Sequence, residues 1–297
     1  MFDFLNCILK KYFSKLKIDF KKSFITLIAG SLGFSTFLSL KAEDAPDLTW
    51  LELLGTSSNE IGNGVSTASD GSIYITGYTQ GALEGETNAG SSDAFLTKYS
   101  SDGTLTWTKL LGTSSSEIGY GVATASDGSV YTAGVTYGDL GGETNAGAGD
   151  AFLTKYSSDG TLVWTKLIGG AGSDESLGIS TASDGSIYIT GYAGSDFDGE
   201  VNAGAVDAFL TKYSSDGTKV WTNLIGTTQS EYGYGVATAS DGSIFIAGYT
   251  LGDLDGETNA GQADVYVQKY SSDGILVWTK LVGSTDSDYG IDILSLI

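Results

Sequence analysis

Residues 121–169 read GVATASDGSVYTAGVTYGDLGGETNAGAGDAFLTKYSSDGTLVWTKLIG. The first sixteen residues split into two runs of β-branched and apolar residues around Ser126-Asp127-Gly128-Ser129. Asp-Gly between such runs marks a hairpin, because Gly takes positive φ freely and Asp bonds its own turn backbone. The longer YGDLGGETNAGAGD leads to DAFLTKY, a strand with Phe152 and Tyr156 on one face. Ser157-Ser158-Asp159-Gly160 turns the chain again, and TLVWTKLIG, centred on Trp164, is a fourth strand. The stretch therefore predicts a four-stranded antiparallel sheet with two tight hairpins and one long connection.

Outward from this stretch the pattern repeats without a slip. Trp50, Trp107, Trp164, Trp221 and Trp278 follow one another at 57 residues, so the region is one module copied in tandem. Tandem four-stranded antiparallel modules predict an all-β fold, a β-propeller. A parallel β-helix, the other all-β repeat, has much shorter coils and lacks Asp-Gly hairpins between neighbouring strands. The tryptophans are expected to fill the wedge between neighbouring blades rather than to form a sugar-binding ring. Complete blades are expected at 64–112, 121–169, 178–226 and 235–283, with a lone fourth strand at 48–55 and a lone first strand at 289–297. The chain ends thus offer the inner and outer strands of an incomplete fifth blade. The ring closes at five with a defective blade, stays an open arc, or is completed by a second chain.

The recurring segments NAG, DAFLTKYSSDGTLVWTKL and GVATASDGSVY resemble the bacterial seven-bladed β-propeller (SBBP) repeat, over Leu48 to Ile297. The resemblance implies seven blades, from which this chain departs. It also implies an exported or surface protein, and it is specific for architecture rather than for activity.

The chain has 297 residues with 43 Gly, one Pro, no His and a net charge of −21. Many glycines with a single proline suit many tight turns. Seven of the 15 lysines and only four of the 36 acids fall in residues 1–45. The remainder holds eight lysines against 32 acids, a net of −24. Such a domain repels nucleic acid and anionic membranes and leaves cations, basic proteins and neutral glycans as partners. Six lysines precede the apolar SFITLIAGSLGFSTFLSL (23–40), and an acidic stretch follows. Residues 1–45 are read as a signal peptide or an N-terminal membrane anchor, with 46–297 exported: secreted, periplasmic or at the cell surface. The one cysteine, Cys7, lies in that leader, so no disulfide is available beyond it.

Long loops on a rigid scaffold make better sites than short turns. The second-to-third-strand loops read GALEGETNAGSSD, GDLGGETNAGAGD, SDFDGEVNAGAVD and GDLDGETNAGQAD. Oxygen ligands with glycine turns suit calcium. The candidate ligands are Asp253, Asp255, Glu257 and Asn259, with Asp196, Asp198, Glu200 and Asn202. The alternative is that these groups cap the loop backbone. Glu60, Glu117, Asp174, Glu231, Glu86 and Glu143 mark the same acidic face as a binding surface. The turn aspartates, Asp127 and Asp159 among them, are expected to be structural, and the strand lysines Lys98, Lys155, Lys212 and Lys269 exposed. With no His, the Ser-His-Asp triad is absent, and no phosphate-cradling or dinucleotide motif occurs. A carboxylate-dependent glycosidase would need two acids in different environments. Equivalent acids do not supply that asymmetry, and few residues outside the repeat pattern, such as Asp174 and Glu175, could. The sequence therefore favours a non-catalytic module that binds a protein or glycan. The alternative is an assembly protein that associates, for instance as a homodimer, through its incomplete blade.

Overall fold

A computed structural model describes residues 50–293 of the chain, and those from Glu52 onward belong to one unit. The leader 1–45 lies outside the described residues. No helix among the described residues is long and apolar enough to cross a membrane.

Sixteen strands form four separate four-stranded sheets. Module 1 holds β1 (Glu60–Thr67), β2 (Ile73–Thr79), β3 (Asp93–Tyr99) and β4 (Leu105–Leu111). Module 2 holds β5 (Glu117–Thr124), β6 (Val130–Thr136), β7 (Asp150–Tyr156) and β8 (Leu162–Ile168). Module 3 holds β9 (Asp174–Thr181), β10 (Ile187–Ala193), β11 (Asp207–Tyr213) and β12 (Lys219–Ile225). Module 4 holds β13 (Glu231–Thr238), β14 (Ile244–Thr250), β15 (Asp264–Tyr270) and β16 (Leu276–Val282). Each sheet is an antiparallel meander in chain order. The architecture is all-β and propeller-like, as the repeat predicts.

Both hairpins of each module are built as expected. In the first hairpin of module 2, Gly128 at φ 83° donates its N–H to the Ala125 carbonyl, and Asp127 accepts from the Ser129 N–H at 2.8 Å. The inner strands begin four residues before the expected Gly64, Gly121, Gly178 and Gly235. Their glycine-rich openings carry a bulge, at Gly62/Gly64 in β1 for example, and so remain strand. Residues 50–55 and 289–293, the described parts of the expected lone strands 48–55 and 289–297, carry no strand assignment.

The inner strands stand side by side around a central channel of about 840 Å³. Glycine makes that approach feasible. A Cβ on Gly64 would meet the Tyr120 carbonyl at 2.7 Å, and one on Gly178 the Tyr234 carbonyl at 2.6 Å. At the channel's hairpin end, threonine hydroxyls staple each inner strand to the preceding one. Thr124 donates to the Thr67 carbonyl at 3.1 Å, Thr181 to Thr124 at 2.8 Å and Thr238 to Thr181 at 3.0 Å.

The apolar core lies between modules. Tyr131, Leu153 and Ile168 of module 2 pack on Ile187, Phe209 and Tyr213 of module 3, and the same positions recur at the 3–4 contact. The tryptophans lie at these seams, as expected: Trp107, Trp164 and Trp221 rest on Gly160, Gly217 and Gly274 of the following module. The strand lysines do more than face solvent. Lys98, Lys155 and Lys212 lie 5.4–5.5 Å from the rings of Tyr74, Tyr131 and Tyr188, and donate to the carbonyls of Ser158, Ser215 and Ser272 across the seam.

Candidate functional site: the channel mouth on the long-loop side

The long loops leave from the ends of β2, β6, β10 and β14, at the end of the channel opposite the hairpins. The acids that recur in them are mostly occupied with their own backbone. Asp93, Asp150, Asp207 and Asp264 are buried, and their carboxylates accept from the loop amides of Ala89, Ala146, Ala203 and Ala260 at 2.8 Å. Asn88, Asn145, Asn202 and Asn259 brace the same loops by donating to the carbonyls that end the second strands.

The six acids expected to form a binding face divide in two. Glu117, Asp174 and Glu231 are fully buried and, with half-buried Glu60, cap the loop that enters each inner strand. Glu117, for instance, accepts from the Thr113 amide and from the hydroxyls of Thr113 and Thr136. Glu86 and Glu143 pair with Lys109 and Lys166 at 2.9 and 3.0 Å. Module 3 uses the shorter Asp174, where Gly170 and Ala193 replace the two threonines, and its carboxylate accepts from the amides of Gly170 and Gly194. Burial, with the nearby Asp150 charge adding to it, raises Asp174 to about 6. Burial likewise raises Asp93, Asp150, Asp207 and Glu231.

The eight residues expected to bind calcium are not brought into one cluster. Asp253 and Asp196 accept from the amides of Asn259 and Asn202. Asp255, at φ 52°, accepts from Thr279 and Gln268, while Asp198, at φ 58°, pairs with Lys219 and Thr222. Glu257 pairs with Lys280, and Glu200 is exposed. No three acids converge on a point among the described residues.

The mouth itself is lined by tyrosines at positions where the copies differ. Tyr120 and Tyr234 line the channel. Glu175 stands where the other modules have Ile61, Ile118 and Tyr232. Its carboxylate lies 3.5 Å from the Tyr137 hydroxyl. Burial first, and contact with Glu175 second, push the Tyr120, Tyr137 and Tyr192 phenols above their ordinary range. Tyr192 continues into a second group. Its ring centroid lies 5.2 Å from that of Tyr232, which stacks on Tyr249 at 4.9 Å, and Tyr289 meets Tyr249 edge-on at 4.8 Å. Tyr137 and Tyr289 are exposed. The eight lysines of the described residues are engaged elsewhere, and none of them compensates Glu175. Sequence reasoning singled out Glu175 as outside the repeat pattern but missed the tyrosines. Their signal was the same departure, Tyr120 and Tyr234 against Asn63 and Leu177.

Residues 163–198 match the family model SBBP, described as a beta-propeller repeat, so the chain carries that repeat. Over 186 residues, 56% of this chain, it is 33% identical to the regulatory protein FlaEY of Caulobacter vibrioides. Over 282 residues, 76% of this chain, it is 24% identical to an uncharacterized WD repeat-containing protein of Acanthamoeba polyphaga mimivirus. The chain spans 20% of the length of each of these relatives. Among solved structures it is similar to a protein of unknown function from Bacteroides caccae, at a TM-score of 0.40 and 10% identity over 92% of this chain and 98% of that one. A luciferin-regenerating enzyme matches at a TM-score of 0.37 and 12% identity over 75% and 76%.

Proposed function

We propose that this chain is an exported, non-catalytic binding module, an arc of four complete propeller blades and a partial fifth, whose tyrosine-lined mouth holds a neutral glycan. The observation that carries the reading is the row of tyrosines from Tyr137 through Tyr192 to Tyr289, with Glu175, which pairs with no lysine of the described residues, among them. Tyrosine offers a broad apolar face to a sugar ring and a hydroxyl to its polar edge, at little cost in side-chain entropy. Glu175 adds an acceptor for sugar hydroxyls, and the strongly acidic surroundings repel polyanions. The buried loop acids serve the scaffold by fixing the loops around the mouth. The partial fifth blade rests on 289–293. A Cβ on Gly235 would meet the Ile293 amide at 2.7 Å, the approach that Gly64 and Gly178 make to their neighbouring inner strands.

The test is electrophoresis through gels containing dextran, mannan, xylan or β-glucan, with a reducing-sugar assay on the same polymers. Retardation by at least one of them without release of reducing ends is expected. Free migration in every gel, or hydrolysis of a retarding polymer, contradicts the reading.

A further inference from the structure

Apart from the channel, a cleft of about 340 Å³ opens at the seam between modules 2 and 3. Lys166 of β8 lines it on one side, and Asp198, Tyr213, Gly217 and Lys219 of module 3 line it on the other. It shares no lining residue with the channel. Its charged side chains depart from the repeat. Lys219 stands where the other modules have Leu105, Leu162 and Leu276, and Asp198 stands where module 2 has Gly141. Lys166 stands where module 3 has Asn223. At the 3–4 seam Asn223 spans the corresponding gap by donating to the Gly274 carbonyl at 2.8 Å. Lys166 instead pairs with Glu143 of its own module at 3.0 Å, and the rim stays open. A phenol completes the lining. Tyr213 is 2% exposed, and its hydroxyl has no hydrogen-bond partner among the described residues. Its counterpart Tyr270 donates to Gln268 at 2.7 Å, but module 3 has Thr211 in that glutamine's place, and Thr211 bonds Thr222. Burial, with the Glu143 charge adding to it, pushes the Tyr213 phenol up, so it remains a donor. A buried polar group without a partner is costly, and a ligand can supply one.

We propose that this cleft binds a small zwitterion, a free α-amino acid, whose carboxylate accepts from Lys166, Lys219 and the Tyr213 hydroxyl and whose ammonium group sits on Asp198. Three donors beside one lining carboxylate match the two ends of such a ligand. Lys219 and Asp198 pair with one another. A ligand carrying both charges can enter between them and leave neither unpaired, whereas a plain anion or cation would strand one of the two. Its net charge is zero, so the charge of −24 over residues 46–297 does not repel it as it would a plain carboxylate. The volume lies near the lower end of ligand sites, about 300–1,000 Å³, which suits a molecule of this size rather than a polymer.

The probes are the common L-amino acids, added singly to the full chain. Melting temperature is read first, and the amino acid that raises it most is then titrated by calorimetry. Saturable binding at one site per chain is expected for at least one of them. Its decarboxylated amine and its deaminated acid should each bind at least about tenfold more weakly. Lys219→Leu and Asp198→Gly install residues that other modules already carry at these places, so the sheets are retained. Each should weaken binding at least about tenfold, and Tyr213→Phe about threefold to tenfold. Lys109→Leu, at the 1–2 seam, should leave it unchanged. Absence of saturable binding by any amino acid, or binding unaffected by Lys219→Leu and Asp198→Gly, overturns the proposal. Equally tight binding of the deaminated acid overturns it too, by making a plain carboxylate the ligand. The glycan reading is separate, since polysaccharide retardation should survive Lys219→Leu.

Discussion

Asp174 shows how one buried carboxylate sets a pH response. It titrates at about 6 in the folded chain, against about 3.9 for an unfolded aspartate. Between those values the folded state holds more protons, so its contribution to stability falls as pH rises from about 4 to about 6, by on the order of 2–3 kcal/mol. Asp93, Asp150, Asp207 and Glu231, also raised, act in the same direction. The turn aspartates act oppositely. The Ser214 hydroxyl and the Thr218 amide hold Asp216 at about 2, so its contribution is complete above about 4 and is lost as pH falls toward 2. Thermal melts from pH 2 to 8 should therefore peak near pH 4–5, and Asp174→Asn should flatten the fall between pH 4 and 6 whatever it does to the peak. A melting temperature that rises from pH 4 to 7 contradicts this account. Two glycines give a second comparison. Gly142, at φ 87°, has open space around a would-be Cβ, whereas Gly160, at φ 85°, would place one 2.9 Å from the Trp107 ring. Gly142→Ala should cost about 1 kcal/mol in chemical denaturation from backbone strain alone, and Gly160→Ala about 2–3 kcal/mol.

At the scale of elements, the seams are held by the lysines of the third strands. Lys155→Met keeps the apolar stem but loses both the Tyr131 ring and the Ser215 carbonyl, and should cost about 1–2 kcal/mol. Lys269→Met, for which the described residues supply no cross-seam carbonyl, should cost about 1 kcal/mol less. Equal losses would show that the cross-seam bond adds nothing. The strands and hairpins were legible in the sequence because alternation and Asp-Gly turns are local signals, as the match of DAFLTKY to β7 and of Ser126–Ser129 to its hairpin shows. The start of β5 was not, because EIGYG reads as a loop until the bulge at Gly119/Gly121 is seen. Nor was the role of the loop acids. Asp253 facing the Asn259 amide and Asp253 facing a cation have the same sequence, and only the loop's closure distinguishes them. With the amide, Thr279 and Lys280 already on Asp253, Asp255 and Glu257, calcium titrated into chelator-stripped protein is expected to leave the melting temperature unchanged. A stoichiometric rise would restore these loops as a metal site.

At the scale of the molecule, repetition builds the scaffold, and the proposed binding site falls where the copies depart from it. Similar residues recur at most of the seams, turns and loop closures, with Asp174 in module 3 among the exceptions. Tyr120, Glu175, Tyr232 and Tyr234 depart from the repeat and meet at the channel mouth. The most direct measurement is retardation by the retaining polysaccharide for Tyr137→Ser and Tyr289→Ser, two exposed mouth residues, beside Glu86→Gln and Glu143→Gln, two ion-paired loop acids. The account predicts at least about tenfold weaker binding for the tyrosine variants and little change for the acid variants. The reverse pattern would move the binding surface from the mouth to the acidic loops and contradict the account.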